Sequence, residues 1–253
     1  AALTLGLVLH RAVGTVDGVT RFLALTDFMR GLMVRDGYPA ERIVVKPNSV
    51  PDPGVAGRRV SGPREVFFAG RLIDIKGVRT LLEAWRRADT RDLRLVVAGD
   101  GDLRPLIEAS ASVDDTIDYV GWLDEAEVTG RMRDAEVVVV PSQWYEGLPL
   151  VILRSLAVGT PLLVSDLENF SQGVVADDTG WTFRTGDAGS LAERLTTLAA
   201  DPMLAASLRE AARASYEKRY SPEVDLARLE AVYAQVVSEV AAGSSGSSGT
   251  GHP

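Results

Sequence analysis

The sequence predicts an α/β fold built on a doubly wound parallel sheet, and three observations predict it. Short runs that are apolar at every position recur from Val66 onward, the pattern of parallel strands covered on both faces. Longer amphipathic stretches separate them, which implies right-handed strand–helix–strand units. The punctuation agrees: Pro149 fits a first helical position, and Gly159 a left-handed cap just ahead of Pro161.

In chain order the strands are Val66–Ala69, Leu93–Ala98, Ile117–Val120, Val137–Val140 and Leu162–Val164, with helices at Val78–Ala88, Leu103–Ser110, Glu125–Arg133 and Leu150–Val158 between them. Ala188–Ala200 and Met203–Arg219 have helical spacing. Pro222–Val240 reads as a last amphipathic helix with Leu226, Leu229, Tyr233, Val236 and Val237 on one side. Upstream lie a strand at Phe22–Thr26, a helix at Phe28–Asp36 and an apolar run at Ile43–Pro47; Pro, Gly and Arg in Asn48–Pro63 mark a linker. Gly243–Pro253 has nothing large and apolar and reads as a flexible tail. The expected domains are residues 1–53, the end of an N-terminal unit with its linker; 54–222, the main domain; 223–240, a crossing helix; and 241–253, the tail.

Composition excludes several classes of function. A net charge of −8 is a poor basis for general nucleic-acid binding, which neutralises many phosphates. Without cysteine there is no disulfide frame and no thiolate metal site, and His10 and His252 leave little for zinc or Ser/His/Asp chemistry. The longest N-terminal apolar run, Ala1–Leu9, is short of the roughly 18 to 20 residues that span a bilayer and lacks a basic flank. The cytoplasm is the expected location, at most peripheral to a membrane. A start at Ala1 inside an apolar stretch reads as the interior of a longer protein.

In an open parallel sheet ligands bind beyond the carboxyl ends of the strands, so the residues that follow each run are the candidates. Gly70-Arg71 and Lys76-Gly77 follow the first run, Gly99-Asp100-Gly101 the second, Gly121-Trp122-Leu123 the third, and Pro141-Ser142 with Glu146-Gly147-Leu148-Pro149-Leu150 the fourth. Arg71 and Lys76 can meet a diphosphate from one side while backbone amides near Leu148 and Leu150, at a helix start, meet it from another. The plainer reading pairs these cations with Asp74 or a neighbouring helix. Glu146 can accept hydrogen bonds from sugar hydroxyls, or simply complement a helix N-terminus. Gly99-Asp100-Gly101 is a weak dinucleotide fingerprint and reads equally as a tight strand-to-helix turn.

Taken in order, Phe68-Ala69-Gly70-Arg71-Leu72, Lys76-Gly77, Val97-Ala98-Gly99-Asp100-Gly101, Val120-Gly121, Pro141-Ser142, Glu146-Gly147-Leu148-Pro149-Leu150-Val151, Ala157-Val158-Gly159-Thr160-Pro161 and Gly180 resemble the C-terminal domain of the family-4 retaining glycosyltransferases of the GT-B fold. The resemblance covers about Ile43–Tyr220, and Phe22–Pro53 resembles the end of the family's N-terminal domain. It implies a Rossmann-like sheet with remnants of a second α/β domain, and transfer of a sugar from a nucleotide-diphosphate donor with retained configuration. Arg71, Lys76 and Glu146 would be catalytic, and Gly70, Gly99, Gly121, Leu123, Gly147, Leu148, Leu150 and Arg154 would bind the donor. No metal or other cofactor is implied. A sugar, lipid or small-molecule acceptor would be bound by the missing N-terminal domain, so the chain alone is expected to be inactive or nearly so.

Two departures are specific to this sequence. The family places a second glutamate eight residues after the first, for the ribose hydroxyls, and here Arg154 stands there; arginine only donates. The loop that usually carries paired glycines reads Asp166-Leu167-Glu168-Asn169-Phe170-Ser171-Gln172. An enzyme part, a degenerate donor-like module that binds nucleotide or a partner, and a nucleotide-sugar epimerase remain the alternatives.

Overall fold

The computed structural model describes residues 17–54, 62–171 and 178–246, with side chains described to residue 242. Ala1–Leu9, His10, residues 55–61 of the expected linker, Gln172 and the end of the tail with His252 lie outside them. Contacts divide the chain into two compact units, residues 1–47 with 225–253, and 48–224.

The larger unit is a six-stranded sheet in which every adjacent pair is parallel. Its strands are β3 (Arg64–Ala69), β4 (Leu93–Ala98), β5 (Ile117–Gly121), β6 (Val137–Val140), β7 (Leu162–Ser165) and β8 (Gly180–Phe183), in the spatial order β5-β4-β3-β6-β7-β8. Helices α2 (Val78–Arg87), α3 (Arg104–Val113), α4 (Glu125–Asp134), α5 (Leu150–Ala157), α6 (Ala188–Ala200) and α7 (Arg209–Arg219) cover it.

The uninterrupted apolar runs have the cause inferred for them. Val137 and Val139 join one core with Val66, Phe68, Trp85 and Leu195, while Val138 and Val140 join a second with Phe67, Leu153, Phe170 and Tyr216. Successive residues of a strand point to opposite faces, so a sheet buried on both faces needs an apolar residue at every position. The helix begins at Leu150, as the sequence indicated, and Pro149 is the N-cap of α5 (φ −63°, ψ 130°) rather than its first helical residue. The extended ψ places the proline just outside the first turn. Gly159 has the left-handed φ of 71°.

In the smaller unit β1 (Phe22–Ala24) and β2 (Ile43–Val45) are parallel, joined through α1 (Asp27–Arg35), whose N-cap Thr26 Oγ1 accepts from Met29 N at 3.1 Å. Ion pairs of Arg21 with Glu239 and Lys46 with Asp225 tie these strands to α8 (Pro222–Gly246). This helix runs past Val240 through Ala241 and Ala242, alanine being the best helix former. Its apolar residues divide between two faces: Val232 is buried, and Leu229 and Val236 are half-buried. Leu226, Tyr233, Val237 and Val240 are exposed, so Leu226, Tyr233 and Val237 stand apart from the inward positions Leu229 and Val236 with which the sequence reading grouped them.

Candidate functional site

The strand order reverses between β3 and β6: the chain leaves β3 toward β4 and β5, then returns beyond β3 to β6. At such a switch point the loops after the two central strands diverge and leave a crevice for ligand. The loop after β3 carries Arg71 and Lys76, and the loop after β6 carries Ser142 and Glu146.

These loops are fixed closely together. Gln143 N donates to Ile75 O at 2.8 Å, and its Nε2 donates to Thr80 Oγ1 at 2.6 Å. Gly77, at φ 73°, comes so close to the β6 loop that a Cβ there would lie 1.8 Å from Pro141 O. This approach sets Lys76 against Glu146, with Nζ 2.5 Å from Oε2. Ser142 Oγ donates to the other carboxylate oxygen at 2.6 Å, and Asn169 Nδ2 donates to the Glu146 carbonyl at 2.5 Å. Asp74 is paired with Arg79 at 2.7 Å, not with Lys76.

Beside this cluster Gly70, Arg71, Gly99, Asp100, Trp122 and Leu123 help to line a cavity of about 240 Å³. Gly70 N donates to Ala98 O at 3.1 Å and Leu72 N to Asp100 O at 2.8 Å, so Arg71 lies between two bonds to the β4 end. Gly99, at φ 136°, would bring a Cβ to 1.9 Å from Gly70 O. Tyr119 donates its hydroxyl to Gly99 O at 2.9 Å; burial pushes this phenol's pKa up, against the opposing pull of Arg104. Gly99 N donates to Gly121 O at 2.7 Å, completing the link from β3 to β5.

The remaining candidates divide. Leu150 and Val151 open α5, ahead of its first turn bond from Ile152 N to Pro149 O at 3.1 Å, so their amides have no acceptor within the helix. Gly147 and Leu148 lie just before them, with Leu148 packed on the second core. Arg154 is 3.1 Å from Glu125 of α4 and lines a separate cavity of about 80 Å³ with Val50, Pro51, Pro53 and Thr129.

The altered glycine loop has a structural account. Asp166 accepts from Thr185 N at 2.9 Å and Oγ1 at 2.7 Å, the hydroxyl bond first among the causes that hold its pKa below the usual carboxylate value. Leu167 and Phe170 enter the core, and Asn169 is buried, its Oδ1 without a hydrogen-bond partner among the described residues. Sequence reasoning placed Ser142 and Trp122 among the residues that follow the strands but gave them no role, and it met Asn169 only within the altered glycine loop. Trp122 is 74% exposed at the cavity, a large aromatic at a strand end.

Strand order and switch point define a doubly wound, Rossmann-like α/β domain. The family described as Glycosyl transferases group 1 matches residues 63–201, over half of the chain, and the chain belongs to that family. It is 30% identical over 189 residues to the glycogen synthase of Mycobacterium tuberculosis (strain H37Rv), covering 73% of this chain and 44% of that protein. To the putative colanic acid biosynthesis glycosyltransferase WcaL of Escherichia coli it is 29% identical, covering 68% of this chain and 46% of the relative. The chain therefore spans about half the length of these curated relatives. In fold it is similar to Anabaena Alr3699/HepE in complex with UDP and glucose, with a TM-score of 0.74, 16% identity and coverage of 85% of this chain and 63% of that one. Sucrose-phosphate synthase of Thermosynechococcus elongatus gives a TM-score of 0.75 at 22% identity, covering 86% and 58%. Among the described residues no helix is long and apolar enough to cross a membrane, and no group of three or more His, Cys, Asp or Glu could hold a metal ion.

Proposed function

We propose that this chain is the donor-binding part of a retaining glycosyltransferase that takes a nucleotide-diphosphate hexose. The observation that carries the reading is the meeting of Lys76 and Glu146 at the switch point, beside the cavity lined by Arg71. Cations in this position hold the diphosphate and stabilise it as it leaves the anomeric carbon, without a metal. The first amides of α5 approach the same phosphates. Glu146 accepts from sugar hydroxyls and fixes the ring; as the bond from the anomeric carbon to the diphosphate breaks, the acceptor oxygen bonds to that carbon on the face the diphosphate vacates, and its proton passes to the departing phosphate oxygen. The nucleoside lies in the neighbouring cavity, where Trp122 offers an aromatic face and Gly99 lets backbone come close. HepE, solved with UDP-glucose, supports trying a uridine donor first.

The acceptor is a sugar, lipid or small molecule bound outside the described residues, so the chain alone gives no turnover. A second reading, a degenerate module, draws on the commitment of Arg154 to Glu125 where the family has a ribose-binding carboxylate. Calorimetric titration with UDP-glucose and GDP-mannose tests both. Binding that falls at least about tenfold in Arg71→Ala, the loss of one charge-assisted hydrogen bond, supports the donor site. No binding of either donor overturns it.

A further inference from the structure

Glu146 has partners on both carboxylate oxygens, Lys76 Nζ at 2.5 Å and Ser142 Oγ at 2.6 Å. Its backbone is held by Asn169, and the Lys76 and Glu146 side chains are only 20% and 23% exposed. The ammonium that would neutralise a diphosphate is thus already neutralised, in a place where water screens it poorly. A diphosphate that takes Lys76 strips Glu146 of its cation and leaves a tethered carboxylate near phosphate oxygens. A sugar on the diphosphate offers hydroxyl donors in place of the ammonium; a bare nucleoside diphosphate carries none beyond its terminal phosphate.

Resting on the donor-site reading above, we propose that Glu146, tethered by Ser142, is the group by which the site favours the sugar-bearing nucleotide over the spent one, by competing with the diphosphate for Lys76. The spent nucleotide meets this competition in full and the donor is compensated for it. Glu146 therefore serves product release as well as sugar recognition, and Ser142 is a positioning residue that keeps the carboxylate opposite Lys76.

The test is calorimetry of the whole chain with the nucleotide and its sugar, UDP with UDP-glucose and GDP with GDP-mannose, for wild type, Glu146→Gln, Lys76→Met and the double variant. Glu146→Gln is expected to tighten the bare nucleotide about two- to fivefold, the range of a partly exposed ion pair, and to lower the preference for the sugar-bearing form. The tightening should vanish in the Lys76→Met background. Should Glu146→Gln fail to fold by circular dichroism, Ser142→Ala serves instead, with a smaller tightening expected. Bare-nucleotide affinity that is unchanged or weaker overturns the inference and leaves the donor site standing. Equal tightening without Lys76 also overturns it, since repulsion alone would then be at work. A wild type that binds neither pair removes the inference and the donor-site reading together.

Discussion

Gly77 carries more of the site than its size indicates. Its left-handed φ of 73° suits glycine, and its approach to Pro141 leaves no room for a Cβ, so this one position both turns the chain and seats the β3 loop on the β6 loop. Gly77→Ala should lower stability by about 3 kcal/mol or more, because strain and a backbone clash add, and part Lys76 from Glu146. Thermal unfolding checks it; a variant within 0.5 kcal/mol of wild type would show that the loops are not locked here. At this scale the sequence was partly legible. Arg71, Lys76 and Glu146 stood out as charges at strand ends, and the structure brings Lys76 and Glu146 together. Asn169 did not, because its partner is a backbone carbonyl 23 residues away, which no side-chain pattern records.

At the scale of elements, residues 48–54 are bound to α7 and its end. Val50 N donates to Tyr220 O at 3.3 Å, Tyr216 Oη donates to Val50 O at 2.9 Å, and Arg213 holds Asp52 by bonds of 2.9 and 2.6 Å. Hydrogen bonding from Arg213 is the main cause that holds the Asp52 pKa below its usual value of 3.8, against partial desolvation. A carboxylate lowered in the folded state contributes stability above its unfolded pKa and loses it as pH falls through the folded one. Asp52→Asn should therefore lower stability at neutral pH, by under about 1 kcal/mol since the carboxylate is 45% exposed, with the difference from wild type shrinking below pH 3.8. Denaturant titrations at pH 7 and pH 3 measure this; a constant difference would contradict it. The strands and most helices were legible because burial on both faces dictates their composition. The faces of α8 were not, because apolar residues there occupy two stripes and only packing decides which turns inward.

Arg154 also belongs to this scale, since it joins two helices. With Glu125 at 3.1 Å from its guanidinium, Arg154→Glu would set two carboxylates against each other. The single variant should therefore lose up to about 1 kcal/mol of stability, and Glu125→Arg should restore it in the double variant, as thermal unfolding of both would show. If Arg154→Glu is neutral, the pair holds nothing.

At the scale of the whole molecule, the order β5-β4-β3-β6-β7-β8 turns a list of strand-end residues into a site, because it makes β3 and β6 neighbours and places the reversal between them. The alternation of strands and helices was legible in the sequence, but their spatial order was not, since it follows from which strands pair. The central claim is that a nucleotide sugar binds at this reversal. Hydrogen exchange of backbone amides with and without saturating UDP-glucose tests it most directly. The account predicts slower exchange over residues 70–77, 99–101, 121–123 and 142–151, with α6 and α7 unchanged; protection confined to other elements, or none at saturation, would contradict it.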